Sequence, residues 1–296
     1  MTFTEEHLSD TPFSNEQACV TYLFRKRWPW GFTCPFCGSV QQEMAPAYTV
    51  VCRYCRKQTS ITAHTLMHGS KKSLVGWMRV AWKFCFQDDG ISARELQRLM
   101  ELSCYQTAWV WLQKMRRAAA LAESMPCRDI VLFDLIPQEL TASSQSTTRD
   151  IGMSLELSLS TKARVRFAVL DSNSSMAITT AVNNLVEEKA TLLIKNVDWL
   201  SRDCRIGSDQ LGQPTKQQLQ RGQLLQQKTG SWLNSVYRSA IKPCHLQGYL
   251  DEFCFRHNTA SWPDRFTILD HLLTGLLSTV EKPGTTKQSI ITGEAP

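Results

Sequence analysis

Cys34-Pro-Phe-Cys37 and Cys52-Arg-Tyr-Cys55 are two tight cysteine pairs, fourteen residues apart, near the start of a chain of 296 residues. A CxxC turn lets two sulfurs reach one cation. A second such turn on a facing hairpin completes a tetrahedral four-thiolate shell with no open position for chemistry. The pattern predicts a structural Zn²⁺ held by Cys34, Cys37, Cys52 and Cys55 in a small β zinc ribbon. A redox-active CxxC and coincidental spacing are the competing readings. So small a module buries too little apolar surface to fold alone, and metal binding would supply much of its folding free energy.

Around the ribbon the pattern is helical. Ser14-Asn-Glu-Gln17 has the form of a capping box and opens a helix through Leu23 that ends in Arg25-Lys-Arg-Trp-Pro29. Tyr48-Thr-Val-Val51 has the composition of a strand leading into the second CxxC turn, and Arg56 to Thr62 of the strand returning from it. From Ser73 the apolar residues Leu74, Trp77, Met78, Ala81, Trp82 and Cys85 repeat at three and four, which predicts an amphipathic helix stopped at Gly90. Ser92, with Glu95 three residues on, caps a second. After the turn Leu102-Ser-Cys104, a third runs from Tyr105 to about Ala120 with Ala108, Trp111, Leu112, Met115 and Ala119 inward.

Three helices with a short turn before the last form a helix-turn-helix. That arrangement offers Tyr105, Gln106 and Thr107 to base edges of double-stranded DNA, and Lys114, Arg116 and Arg117 to its phosphates. An ordinary three-helix packing unit is the plain alternative, and the Trp residues read as core.

Charge favours the DNA reading. Residues 1–24 carry four acids and no Lys or Arg, residues 25–120 carry fifteen Lys or Arg against five acids, and residues 121–296 carry eighteen of each. The net +6 therefore belongs to the segment holding the ribbon and the helices, as expected of a nucleic-acid footprint or, more blandly, a solvated basic face. The other seven cysteines show no pairing pattern, the first residues hold no apolar stretch behind a basic start, and there is no run of eighteen apolar residues. A reducing, cytoplasmic setting without a membrane span is expected.

The second half reads as strands at Ile130–Phe133, Val165–Leu170 and Met176–Val182, with a helix from Glu187. Thr141 to Thr148 reads as loop, residues 210–227 with their eight Gln as irregular, and His245 to Phe255 as a helix. From Lys282 the composition is that of a tail.

Arg27-Trp-Pro-Trp-Gly-Phe-Thr-Cys-Pro-Phe-Cys-Gly38, Ile91-Ser-Ala-Arg-Glu-Leu-Gln-Arg98 with Gln106-Thr-Ala-Trp109, and His245-Leu-Gln-Gly-Tyr-Leu-Asp-Glu-Phe-Cys-Phe-Arg-His-Asn258 resemble bacterial insertion-sequence transposases with an amino-terminal zinc ribbon. The resemblance spans about residues 13–258 and is poor between 140 and 230. It implies an RNase H-like domain in which Asp, Asp and then Asn or Glu hold two divalent cations, Mg²⁺ or Mn²⁺, for phosphoryl transfer. Asp134 matches the first acid and Asp209 the second. The third position holds Lys228, an ammonium with no lone pair to offer, and Asn234 or Glu252 could replace it only by an alignment shift.

The expectation is thus a multi-domain chain. Residues 1–68 form the N-terminal helix and ribbon, 69–122 the helix-turn-helix, 123–280 a divergent α/β RNase H-like domain and 281–296 a disordered tail. The function this implies is transposase-type DNA binding, ancestrally with metal-dependent strand cleavage and transfer, and chemistry at two element ends would call for a homodimer. The alternative is a catalytically dead derivative that only binds DNA.

Overall fold

The computed structural model describes residues 13–87, 90–142, 145–157, 163–237 and 241–279. Helix α1 (Glu16–Arg27) is capped by Asn15, one residue later than the sequence pattern suggests, because its side chain accepts from the Ala18 N–H. The ribbon is two short antiparallel hairpins, β1 (Phe32–Thr33) with β2 (Val40–Gln41) and β3 (Thr49–Val51) with β4 (Gln58–Ser60). Next come α2 (Leu74–Phe86), α3 (Ala93–Leu99) and α4 (Tyr105–Ala122), close to the expected bounds. Ser73 and Ser92 cap α2 and α3, and the Glu16 carboxylate takes the N–H groups of Leu74 and Val75, tying α1 to the start of α2.

Ribbon and helices share one core. Phe32, Cys34, Val50, Cys52, Ile61 and Met67 are buried with Leu23 and Phe24 of α1, Trp77 and Met78 of α2, and Trp111 and Met115 of α4. The Arg27 guanidinium fastens α1 to the chain beyond the ribbon by donating to the carbonyls of Ser60, Ile61 and Ala63. The ribbon is therefore seated on the helical unit.

The second half is a five-stranded mixed sheet in the order β7-β6-β5-β8-β9. Strands β5 (Ile130–Ala142), β6 (Gln145–Glu156) and β7 (Val165–Val169) are antiparallel neighbours, while β8 (Thr191–Ile194) and β9 (Leu211–Gly212) run parallel to β5. Helix α5 (Ser175–Leu185) packs on the face with Val131, Phe133, Leu192 and Ile194. Helices α6 (Lys216–Tyr237) and α7 (Leu246–Thr259) cover the face with Leu132, Met153, Phe167 and Leu193.

Four expectations are corrected. Met176–Val182 is helix, because Ser174 caps it and Ile178, Ala181, Val182 and Leu185 fall on one helical face. The segment after Glu187 delivers strand β8, whose Leu192, Leu193 and Ile194 are buried on both sheet faces. A buried parallel strand lacks the alternation that would mark it. Residues 216–227 belong to a long helix, since Gln is a good helix former and Leu219 and Leu225 anchor it to the sheet. Around 141–148 the two long strands continue: Ala142 pairs with Gln145, and 143–144 lie outside the described residues, as does the tail from 280.

Helix α8 (Arg265–Leu277) returns to the first half, burying Leu269, Leu272, Leu273 and Leu276 in the ribbon-and-helix core. Gly275 makes this approach possible: a Cβ there would lie 1.9 Å from the Ala118 carbonyl oxygen of α4. Gly275→Ala must push the two helix backbones apart, so we expect a loss of about 2–3 kcal/mol in urea unfolding. Unchanged stability would mean that α8 does not sit against α4 in this way.

Candidate metal centre and nucleic-acid interface

The two CxxC turns have matching backbone bonds. The Cys34 N–H donates to the Ser39 carbonyl and the Gly38 N–H to the Cys34 carbonyl, as Cys52 does to Lys57 and Arg56 to Cys52. Gly38 (φ 73°) and Arg56 (φ 60°) occupy equivalent left-handed positions. The sulfurs converge: Cys34 to Cys55 is 3.6 Å, Cys37 to Cys52 is 3.7 Å, and all four ligand atoms lie within 4.8 Å of one another. Zn–S bonds of about 2.3 Å in a tetrahedron place sulfurs about 3.8 Å apart, so this donor set fits Zn²⁺.

The surroundings favour thiolate at Cys52, but against the pull of the Lys57 backbone N–H, desolvation and the three neighbouring sulfurs push the Cys55 thiol up to about 11. The Cys55 backbone N–H first, then the Ser39 hydroxyl, pull the Cys52 thiol down to about 5, and the buried Gln41 amide also donates to Cys52 Sγ while accepting the Arg53 N–H. Zinc bound by Cys34, Cys37, Cys52 and Cys55 would supply a closed structural crosslink between the hairpins. Beyond the shell the ribbon exposes rings and charges together. Trp30 is 85% and Tyr54 73% exposed, Arg53 and Arg56 are exposed, and Lys57 Nζ stands 4.7 Å over the Phe36 ring. Such an interleaving suits nucleic acid, and the exposed aromatics could not be told from core by sequence.

Residues 14–58 match the family of the transposase zinc-ribbon domain. The N-terminal part of this chain is a zinc ribbon with four clustered cysteines, similar to that transposase domain, followed by helical and mixed-sheet regions. No curated protein matches the chain.

The first turn of α4 is open to solvent. Tyr105 and Gln106 are exposed and Thr107 half-buried, while Cys104 provides no side-chain cap and the first turn holds no acid. The α3–α4 turn is closed by the Leu102 N–H on the Gln97 carbonyl, with Glu101 at φ 49°. Farther along, α4 is covered. Lys114 is half-buried with its ammonium 5.4 Å over the Trp77 ring, so it packs on α2; Arg117 remains exposed.

Arg116 is a correction, for it is only 2% exposed and cannot meet a phosphate. Its Nε donates to Glu252 at 2.9 Å and its guanidinium lies 3.9 Å over the Tyr249 ring. A helical stripe cannot distinguish a cation facing solvent from one facing a buried partner 136 residues away.

That partner belongs to the His245–Asn258 motif, which proves to be a clamp. Glu252 is fully buried and also accepts from Arg256, which in turn donates to the carbonyls of Phe84 and Gln87 at the end of α2. Asn258 bridges Glu123 at the end of α4 to the backbone of Val165, and Glu123 also binds Arg164 and His271. At the residue before Glu252, burial pushes the Asp251 carboxyl up to about 6, opposed by the Gln247 amide, Arg166 and Arg117.

A raised acid is unfavourable to folding once ionised. The folded state holds the Asp251 proton more tightly between the ordinary carboxylate range and about pH 6, so stability falls across that window and stays lowered above it. Asp251→Asn is therefore expected to be more stable at pH 7 by up to about 3 kcal/mol, with the gain vanishing near pH 4. A gain independent of pH would contradict this.

Among the described residues the structure does not bring Asp134 and Asp209 together. Asp134 lies on the α6/α7 face of β5, just past the end of β8, and its Oδ2 is held by Lys195 Nζ at 2.6 Å. Asp209 is exposed in a 3₁₀ turn before β9; the pairing of Leu211 with Leu192 puts it at the opposite end of the strands. At ~3.3 Å per residue this is about 15 Å along the sheet from Asp134. Lys228 stands on the exposed side of α6 in a cleft with Arg256 and Arg265, Asn234 is exposed, and Glu252 is committed to two arginines. Among the described residues the four cysteines are the one group arranged as metal donors. This donor set does not fit Mg²⁺ or Mn²⁺.

Among the described residues no helix is long and apolar enough to cross a membrane.

Proposed function

We propose that this chain is a transposase-derived DNA-binding protein that holds duplex DNA with its zinc ribbon and helix-turn-helix and does not cut it through a divalent-metal centre. The transposase zinc ribbon at residues 14–58 carries the DNA-binding part of the reading. Support comes from the +10 segment, the exposed Arg–aromatic surface of the ribbon and the open start of α4, all on one packed core. The sheet order, three antiparallel strands followed by two parallel ones with Asp134 on the central strand, supports an RNase H-like ancestry. The Lys195 ammonium on Asp134, in place of a second acid, favours the inactive form.

In this reading Gln106, Thr107 and Tyr105 face base edges and Arg117 a phosphate, while the sheet acts as a scaffold for α4. The zinc-loaded protein should bind duplex DNA with an affinity that falls steeply with salt, and Arg117→Ala should reduce the log–log salt slope by about 1. Absence of any salt-dependent DNA binding would overturn the proposal.

A further inference from the structure

A cleft of about 610 Å³ opens beside the start of α4, and its two walls come from segments far apart in the chain. One wall is Arg94 of α3 with Tyr105 and Gln106 of α4; the other is Lys242 and His245, which lead into α7; Trp109 lines it between them. The His245 ring meets Trp109 edge-on, with centroids 5.1 Å apart, which fixes the second wall against the first. Arg94 and Lys242 are exposed, and neither forms an ion pair with a carboxylate among the described residues.

We infer that this cleft is a second phosphate grip, in which Lys242 and His245 from the C-terminal half face Arg94 across the DNA backbone strand flanking α4. The inference rests on the DNA-binding reading above and deepens it: the interface is composite, and the helix-turn-helix supplies only one side. Two cations, a phenol, a carboxamide and an imidazole are the side chains that bind phosphate oxygens in protein–DNA complexes, and an open cleft next to a base-reading helix end admits a continuous strand. Arg116 and Tyr249 form part of the lining, and their clamp with Glu252 holds the second wall at a fixed distance from α4. Sequence could not bring Lys242 beside Arg94, which stands 148 residues earlier in the chain.

The test is fluorescence anisotropy with a duplex from the flanks of the gene, titrated with salt, for the full-length zinc-loaded wild type, Arg94→Ala, Lys242→Ala, the double variant and Lys189→Ala as a surface control. Melting temperatures establish that each is folded. Each phosphate contact adds about 0.9 to the slope, so the single variants should lose about 1 each, the double variant about 2, and the control nothing. Wild-type binding with slopes unchanged in all variants overturns the grip and leaves the DNA-binding reading standing. Wild type that binds no DNA overturns both. A parallel arm adds inorganic phosphate alone: a Lys242-dependent rise in melting temperature with unchanged DNA slopes would mark a site for a small phosphate and overturn the DNA assignment.

Discussion

Cys37→Ala is expected to abolish stoichiometric zinc and unfold residues 25–62, because three thiolates cannot close the shell and the few hydrogen bonds of Ser39 and Gln41 across the two hairpins cannot replace it. The hairpins pair over only two and three residues, and Cys37 itself is exposed, so the substitution removes little packing of its own. The metal term is large: structural Zn²⁺ contributes apparent binding free energies of about 10–16 kcal/mol in zinc-finger peptides. Loss of the ribbon also uncovers Phe24, Trp28, Trp77 and Met67, with which it shares a core, so the helical unit should lose stability too. Metal analysis and amide exchange check this together. Unchanged zinc content in the variant would remove the ribbon from the account.

The second large effect is expected at Glu252. It is fully buried between Arg116 and Arg256, at 2.9 Å from one Nε and 3.1 Å from the other. Glu252→Ala leaves two guanidinium groups without their buried counter-charge, which costs about 3–5 kcal/mol. Glu252→Gln keeps the shape and an acceptor and should cost less. Arg116→Ala should likewise lower the urea midpoint, yet leave the DNA salt slope of the folded protein unchanged, because Arg116 braces α4 against α7 instead of touching DNA. A drop in slope without loss of stability would restore the phosphate role.

The parts legible in the sequence are those whose signal is local. The CxxC pairs, the Ser92 cap and the period-3.6 stripes of α2 and α4 are each specified within a few residues. Illegible were the elements defined by distant partners. Strand β8 is four residues buried on both faces, so it carries no alternation, and α5 has the β-branched composition of a strand until Ser174 caps it. Arg116 looked like a surface cation because Glu252 is far along the chain. Asp209 lay within a plausible distance of Asp134 in sequence, but the parallel pairing of β9 with β8 carries it to the other end of the sheet. Lys195 follows directly on the apolar run of β8, a position that could have been questioned only once β8 was recognised as a strand beside β5.

The most direct test of the central claim is a strand-cleavage assay run beside a binding assay. Zinc-loaded protein would be incubated with duplex DNA from the flanks of its gene in Mg²⁺ or Mn²⁺, next to Asp134→Asn. The account predicts salt-sensitive binding by both proteins and no nicking by either. Metal-dependent nicking by the wild type that disappears in Asp134→Asn would contradict it, because Asp134 would then have to leave Lys195 and hold a cation.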